Sequence, residues 1–413
     1  MSKRRTDLAV PKLSDMYISA EAAAESLGVS QATFYSYVSR RGVRSEPVPG
    51  SKKRLYWVPD VETLRSSTTA GTAEPANRED QADGRTAITL NTDAGQFYRG
   101  KSAIELSRTE TVESVAALLW QVDELAVFDN NQMVGGEPIS GLRSRISHLP
   151  AADRISILYT LMEQVDLRAF DFAPTEYAST GARALRQFAA ELAGSADPSP
   201  EPLHIALTQR LGAPMDWADV VRRLLILSAD HGVTPSTWAV RVLASTGVTA
   251  YRVAITGLAA SGGRGLPYGQ LHGLSRMLEE MMKAKDPTNA LISRMKEGEE
   301  CPGFGSGIYP NGNDPRAVEM LSVLEATFSD DPDVKRFLEV KEIVQDKLDK
   351  APDFALLTVF VCRILGLSPD DSVLARLGRM IGWIAHAMEA LDQATIGPRR
   401  QFYSGLLPTL ATR

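Results

Sequence analysis

The stretch Leu224–His272, LLILSADHGVTPSTWAVRVLASTGVTAYRVAITGLAASGGRGLPYGQLH, restricts the fold of this chain more than any other. It opens on an apolar run that ends at an Asp-His pair, Asp230 and His231. A helix-like segment follows, then a second apolar segment, and last a glycine-rich turn. Nothing in it alternates with the period of two that a half-buried strand needs, so it reads as packed helices.

The helical pattern extends to both sides. From Thr86 onward the chain reads as all-α, with strands limited to short pieces near 50–58 and 86–99. Glu113, Val115, Ala116, Leu118, Leu119 and Trp120 make one apolar-faced helix with an acidic start. Segments 150–195, 203–212 and 216–229 alternate apolar stripes with turn signals such as HLPAAD and GSADPSPEP. Beyond His272 the pattern predicts one Met-rich amphipathic helix over 273–295, a Gly/Pro/Asn-rich loop over 301–317 and a helix to about Asp330. APDFALLTVFVCRILGL reads as a buried helix, and DDSVLARLGRMIGWIAHAMEAL as the final long one. At 413 residues the chain has room for two or three domains and a large core.

The N-terminal part has a different character. Residues 1–60 hold ten Lys/Arg against six acids, although the whole chain carries −6, so a basic module precedes an acidic body. In 17–65, Ser19 caps a helix that ends at Gly28, and Ser30 caps a second that ends at Gly42. A basic hairpin-like piece, SKKRLYWV, and a short helix from Pro59 follow. Residues 66–85, SSTTAGTAEPANREDQADGR, nearly lack large apolar side chains and read as a flexible linker. Cys301 and Cys362, without CxxC spacing, exclude a disulfide scaffold and a cysteine zinc site and fit a reducing compartment. No uninterrupted apolar run reaches the roughly eighteen residues of a membrane span. MSKRRTDLAVPKLSD lacks the apolar core of a secretory signal, so the expected location is cytoplasmic, with no membrane partner.

The order in 1–65 resembles the winged helix-turn-helix of MerR-type regulators, on the pattern LGVSxxTxYxYVxRxG…RxYxxxDVxxL. The resemblance implies a recognition helix from Gln31 to Arg40, with Gln31, Thr33 and Arg40 toward DNA and Lys52, Lys53 and Arg54 on phosphates. The alternative is a module that serves packing or protein contact.

From about Thr86 to the end, roughly four-fifths of the chain, the sequence resembles the citrate synthase family. Asp230, His231, Ser236, Thr237, Arg241, Ala244, Ser245 and Thr246 fall at the spacing of the family's DHxxxxST…R…AST segment, and Tyr98–Gly100 supplies its YRG. The resemblance implies a large domain of 86–256 and 365–413, a small domain of 257–364, and a dimer whose domains close over substrate. It implies condensation of an acyl-CoA with oxaloacetate or a related 2-oxo acid, with no metal and no cofactor beyond acyl-CoA as substrate. Asp353 in APDFAL matches the methyl-deprotonating base, although by itself it reads equally as a helix N-cap. Arg316 in NDPRA, Arg379 in LGRMIGW and His231 match groups that hold the oxo acid.

Three positions depart from the family pattern. Counted without gaps, the histidine of GPxHGG falls on Leu266; His272 in GQLHG takes its place only with an insertion. The histidine of GxGHxxY is Ser306, which donates a hydrogen bond but carries no charge. The arginine of RPRQxYxG, contributed across the dimer, falls on Gly397, with Arg399 and Arg400 two and three positions on. Each lost donor costs on the order of 10²–10³ in rate at comparable oxyanion sites. Three functions follow: a condensing enzyme with altered donors; a non-catalytic member that binds oxaloacetate, citrate or CoA and signals to the basic module; and a partner of a true citrate synthase paralogue in a mixed dimer.

Overall fold

The structure is a computed structural model, and it describes residues 17–48, 50–69, 85–128, 140–305, 309 and 312–392. The body is arranged around one helix, Leu374–Leu391, which is buried along almost its whole length. Its sequence is apolar on nearly every face, as an enclosed helix requires. It packs on the helices Val112–Trp120, Pro174–Leu192, Ala218–Ser228, Pro235–Ala244 and Ala250–Ser261. Two of its glycines permit backbone-to-backbone approach: a Cβ on Gly378 would lie 2.4 Å from the Leu225 carbonyl oxygen, and one on Gly382 would lie 2.3 Å from that of Ala229. The Gly382 N–H donates to the Ala229 carbonyl at 2.9 Å, so this contact fixes the point where the Leu224 run stops and Asp230 begins.

Helix starts follow local chemistry. Thr111, Thr234, Thr249, Asp314, Asp331 and Asp353 each accept a backbone N–H of the first turn. The Met-rich segment expected as one helix over 273–295 is instead two, Leu271–Lys283 and Pro287–Lys296. Asp286 caps the second by accepting from Asn289 N, and Pro287 at its first turn cannot continue the preceding helix.

The strands are few and short. Thr89–Thr92, Gly95–Tyr98 and Lys101–Ser102 form one antiparallel sheet at the start of the body. In the N-terminal module, Tyr17–Ser19, Arg54–Trp57 and Ser45–Pro47 form another, with Arg54–Trp57 in the middle. The module's helices Ala20–Ser26 and Gln31–Arg41 begin at Ser19 and Ser30, whose hydroxyls accept from Ala22 N and Thr33 N. Its core is Ala23, Ala24, Phe34, Tyr56, Val61 and Leu64. The helix Val58–Thr69 continues past Arg65 into the segment read as linker, and residues 70–84 lie outside the described residues. Trp57 nevertheless packs against Ala94 of the body, with Tyr17 and Leu90 beside them. Among the described residues no helix is long and apolar enough to cross a membrane.

Candidate active site

The apolar run of Ala218–Ser228 ends against the central helix and leaves Asp230 with no exposed surface. Burial pushes the Asp230 carboxyl up, but His386 and Arg379 beside it outweigh this and hold it well below the usual carboxylate range. His386 Nε2 lies 3.2 Å from one Asp230 oxygen, and Arg379 Nη2 lies 3.6 Å from the other. Arg379 also donates from Nη2 to the Gly232 carbonyl at 3.3 Å, the Thr234 hydroxyl at 3.1 Å and the Thr237 hydroxyl at 3.2 Å. The turn after Asp230 therefore anchors the Nη2 end of this guanidinium. Gly232 adopts φ +67°, which lets its N–H reach Asp230 at 2.8 Å.

His231 lies on the other side of that turn. Its ring stacks on Tyr309 with centroids 6.0 Å apart, and neither ring nitrogen has a hydrogen-bond partner among the described residues. Burial first, then the positive charges of Arg316 and Arg379, lower its pKa to about 3. At neutral pH it is an uncharged imidazole with one donor and one acceptor to offer. Burial likewise pushes the Tyr309 hydroxyl up to about 12.

Arg316 comes from the start of the helix Pro315–Thr327. Its Nε and Nη2 donate to the two carboxylate oxygens of Asp314 at 2.9 and 2.6 Å, and its guanidinium stacks 4.5 Å from the Phe354 ring centroid. Phe354 is the first residue of the helix that Asp353 caps, so one cation joins the two segments. Asp353 accepts from Leu356 N at 2.9 Å, while its own N–H donates to the Gly303 carbonyl at 2.8 Å. Burial raises its carboxyl above the ordinary value, with the Asp314 charge adding to the shift. The N-cap and the buried base, alternatives in the sequence, are thus the same carboxylate in the structure.

The structure brings Asp353, Arg316, Arg379 and His231 into one cluster. His272 is not part of it: the side chain projects to the exposed side of Leu271–Lys283, with Nε2 2.6 Å from Asp370 Oδ1. The reason is periodicity, since Leu271, Leu274 and Leu278 face the core and leave the next position outward. Ser306, Arg399 and Arg400 lie outside the described residues, as does Gly397. Gln31, Thr33, Arg40, Lys52, Lys53 and Arg54 are all exposed on the module; Arg54 Nε donates to the Ser45 hydroxyl at 2.8 Å.

Sequence reasoning assigned no role to several members of the cluster. Asp314 is legible as the residue two before Arg316, and His386 as part of the AHAME run after Arg379. Behind Asp230, His386 Nδ1 lies 3.2 Å from Arg241 Nη1, which reaches Glu389 at 2.5 Å; Glu389 in turn accepts from Ala87 N at 2.8 Å. Asn91, whose amide donates to the His231 carbonyl at 3.1 Å, left no signal in the sequence. Among the described residues no three His, Cys, Asp or Glu side chains converge to hold a metal ion.

The helical body has the fold of solved citrate synthases. The fold matches the citrate synthase of Thermotoga maritima with a TM-score of 0.63 at 21% identity, covering 80% of this chain and 95% of that one. It matches the Thermoplasma acidophilum citrate synthase, solved as a ternary complex with carboxymethyl coenzyme A and oxaloacetate, with a TM-score of 0.67 at 19% identity over 82% and 99% of the two chains. Residues 79–399 match the family model "Citrate synthase, C-terminal domain", and the chain belongs to the citrate synthase family. Among curated relatives, a 2-methylcitrate synthase of Mycobacterium tuberculosis is 26% identical over 342 residues, 73% of this chain and 82% of its own length. Citrate synthase 2 of Bacillus subtilis is 27% identical over 191 residues, 45% and 51% of the two chains. Condensation of the citrate or 2-methylcitrate synthase type is supported at the level of the family, whose members take acyl-CoA as substrate and need no cofactor.

Proposed function

We propose that this chain condenses an acyl-CoA with oxaloacetate or a related 2-oxo acid, using an altered set of donors. The observation that carries the reading is the Asp353 carboxylate: buried, raised in pKa, and sharing the charged neighbours Arg316 and Asp314 with a histidine whose ring nitrogens are both unpartnered among the described residues. A desolvated carboxylate is a stronger base toward an acidified carbon than one in water. In this reading Asp353 takes a proton from the thioester's α-carbon, and that carbon attacks the oxo carbon of the acid. Arg316 and Arg379 hold its carboxylates, and neutral His231 donates to its oxo oxygen. Water then hydrolyses the thioester of the adduct to a carboxylate and free CoA thiol. The segment 257–364 acts as a small domain closing on 86–256 and 365–413. Ser306 supplies a donor in place of a histidine, and Arg399 and Arg400 act across a homodimer, all in the cytoplasm.

The test is thiol release from acetyl-CoA or a longer acyl-CoA with oxaloacetate. Turnover that falls about 10²–10⁴-fold in Asp353→Ala supports the reading; no turnover with any of a panel of acyl-CoAs and 2-oxo acids ends it.

A second reading is favoured by the position of His272. With that side chain paired to Asp370 and leucine at 266, no histidine described here takes the enol-facing place. The chain would then bind oxaloacetate, citrate or CoA without turnover, alone or beside a citrate synthase paralogue, and act through its basic module. Gln31, Thr33, Arg40, Lys52, Lys53 and Arg54, all exposed, would be its DNA contacts. Calorimetric binding without thiol release is its signature. Absence of ligand binding together with absence of duplex retardation disposes of it.

A further inference from the structure

The hairpin Thr89–Tyr98 has two faces of opposite character. Strand pairing sets Thr89 opposite Tyr98 and Asn91 opposite Gln96, so these four side chains share one face; Leu90 and Phe97 share the other. The polar face meets the candidate site. Asn91 holds the His231 carbonyl at 3.1 Å, and the Tyr98 hydroxyl accepts the Asp230 N–H at 3.2 Å. Gln96 is 2% exposed, and neither atom of its amide has a partner among the described residues. The turn of the hairpin also backs onto the Arg316 helix, since a Cβ on Gly95 would lie 3.5 Å from Pro315.

The apolar face and the turn meet the N-terminal module. Tyr17 and Trp57 are register partners on neighbouring strands, their rings 4.8 Å apart, and they form an aromatic surface turned away from the module's own core. Tyr56 turns the other way, onto Phe34 at 4.9 Å. Trp57 is 6% exposed, with Ala94 and Leu90 of the body and Tyr17 of its own module packed around it. Lifted off, the module would present a tryptophan and a tyrosine to water, a costly apolar patch. The module is therefore seated rather than merely tethered.

We propose that this hairpin is a septum that couples the seat of the N-terminal module to occupancy of the carboxylate site. It rests on the reading of that site as one that binds a 2-oxo acid. A ligand that orders the Asn91 and Gln96 face holds Ala94 against Trp57, and by reciprocity a seated module tightens the ligand. The two states are the module seated and the module lifted, and both surfaces of one hairpin bias them.

The test uses the full chain. Hydrogen exchange at Arg54–Trp57 is followed with and without oxaloacetate, and oxaloacetate affinity is measured by calorimetry in wild type, Ala94→Lys and Trp57→Ser. The two variants cut the seat from opposite sides, so if one fails to fold the other decides. Expected are slower exchange at Arg54–Trp57 on adding oxaloacetate to wild type, loss of that slowing in the variants, and binding weakened about fivefold or more. Oxaloacetate binding that leaves the exchange unchanged, with equal affinity in the variants, overturns the coupling and spares the site. No oxaloacetate binding to wild type overturns the reading of the site, and the coupling falls with it.

Discussion

Asp353 and His231 are displaced in opposite senses, and burial is the first cause of both. The Asp353 carboxyl lies above its usual 3.8, so only between that value and its folded one does the folded protein keep a proton that the unfolded chain has released. Stability from this group is complete below the ordinary value and is lost as pH rises through the folded one. Asp353→Asn keeps an acceptor for Leu356 N and removes that loss. It is expected to melt above wild type at neutral pH, the gap closing below pH 3.8. His231 works the other way. Its folded value of about 3 against 6.5 gives stability that is present above 6.5 and lost as pH falls toward 3. His231→Gln therefore flattens the acid limb of a melting series, and coincident pH profiles for wild type and variant would remove the argument. At this scale His231, Arg316, Arg379 and Asp353 were legible because each sits in a motif whose spacing fixes its register. His272 in GQLHG lacks that register, and the helical phase of Leu271, Leu274 and Leu278 turns it outward toward Asp370.

Elements were legible where helical period met a capping residue. The split at Asp286-Pro287 was written in the sequence as a cap followed by a first-turn proline, but the apolar stripe runs through it and masks the break. What no local pattern reveals is which helix face another backbone will touch. Gly378 and Gly382 carry no such signal in the sequence, and in the structure both sit against Ala218–Ala229. This gives opposite expectations for one substitution. Glycine to alanine inside a helix is ordinarily stabilising by about 0.5–1 kcal/mol. At Gly382 the new Cβ would stand 2.3 Å from the Ala229 carbonyl oxygen and 2.6 Å from Asp230 Oδ1. Gly382→Ala should thus cost about 1–3 kcal/mol in urea unfolding, and by shifting Asp230 it should weaken oxo-acid binding as well. A variant as stable as wild type would mean that the two helices separate freely.

At the scale of the molecule, the unlike segments of this chain are held together by side chains far apart in sequence, which is why the assembly was least legible. Tyr17 and Trp57 meet Leu90 and Ala94 across the 70–84 segment, although composition alone reads that segment as a separator. A second junction concerns the helix Pro315–Thr327, which carries Arg316. One turn further on, buried Glu319 receives Arg108 Nε at 2.9 Å and Nη2 at 2.5 Å, and it also accepts from Arg223. Those arginines belong to Ala103–Thr109 and Ala218–Ser228, so one carboxylate ties the Arg316 helix to two others. The same helix bears Glu325, half exposed and 3.0 Å from Lys341, a pair of the kind worth at most about 1 kcal/mol. Neutralising each in turn separates burial from charge. Glu319→Gln removes the negative charge that Arg108 and Arg223 share and should lose about 1–3 kcal/mol in urea unfolding. It should also raise the Kd for oxaloacetate, because the backbone that presents Arg316 is no longer tied down. Glu325→Gln should change neither measurably. If the two variants behave alike, Glu319 is a surface charge in effect, and the Arg316 helix is positioned by its apolar face alone.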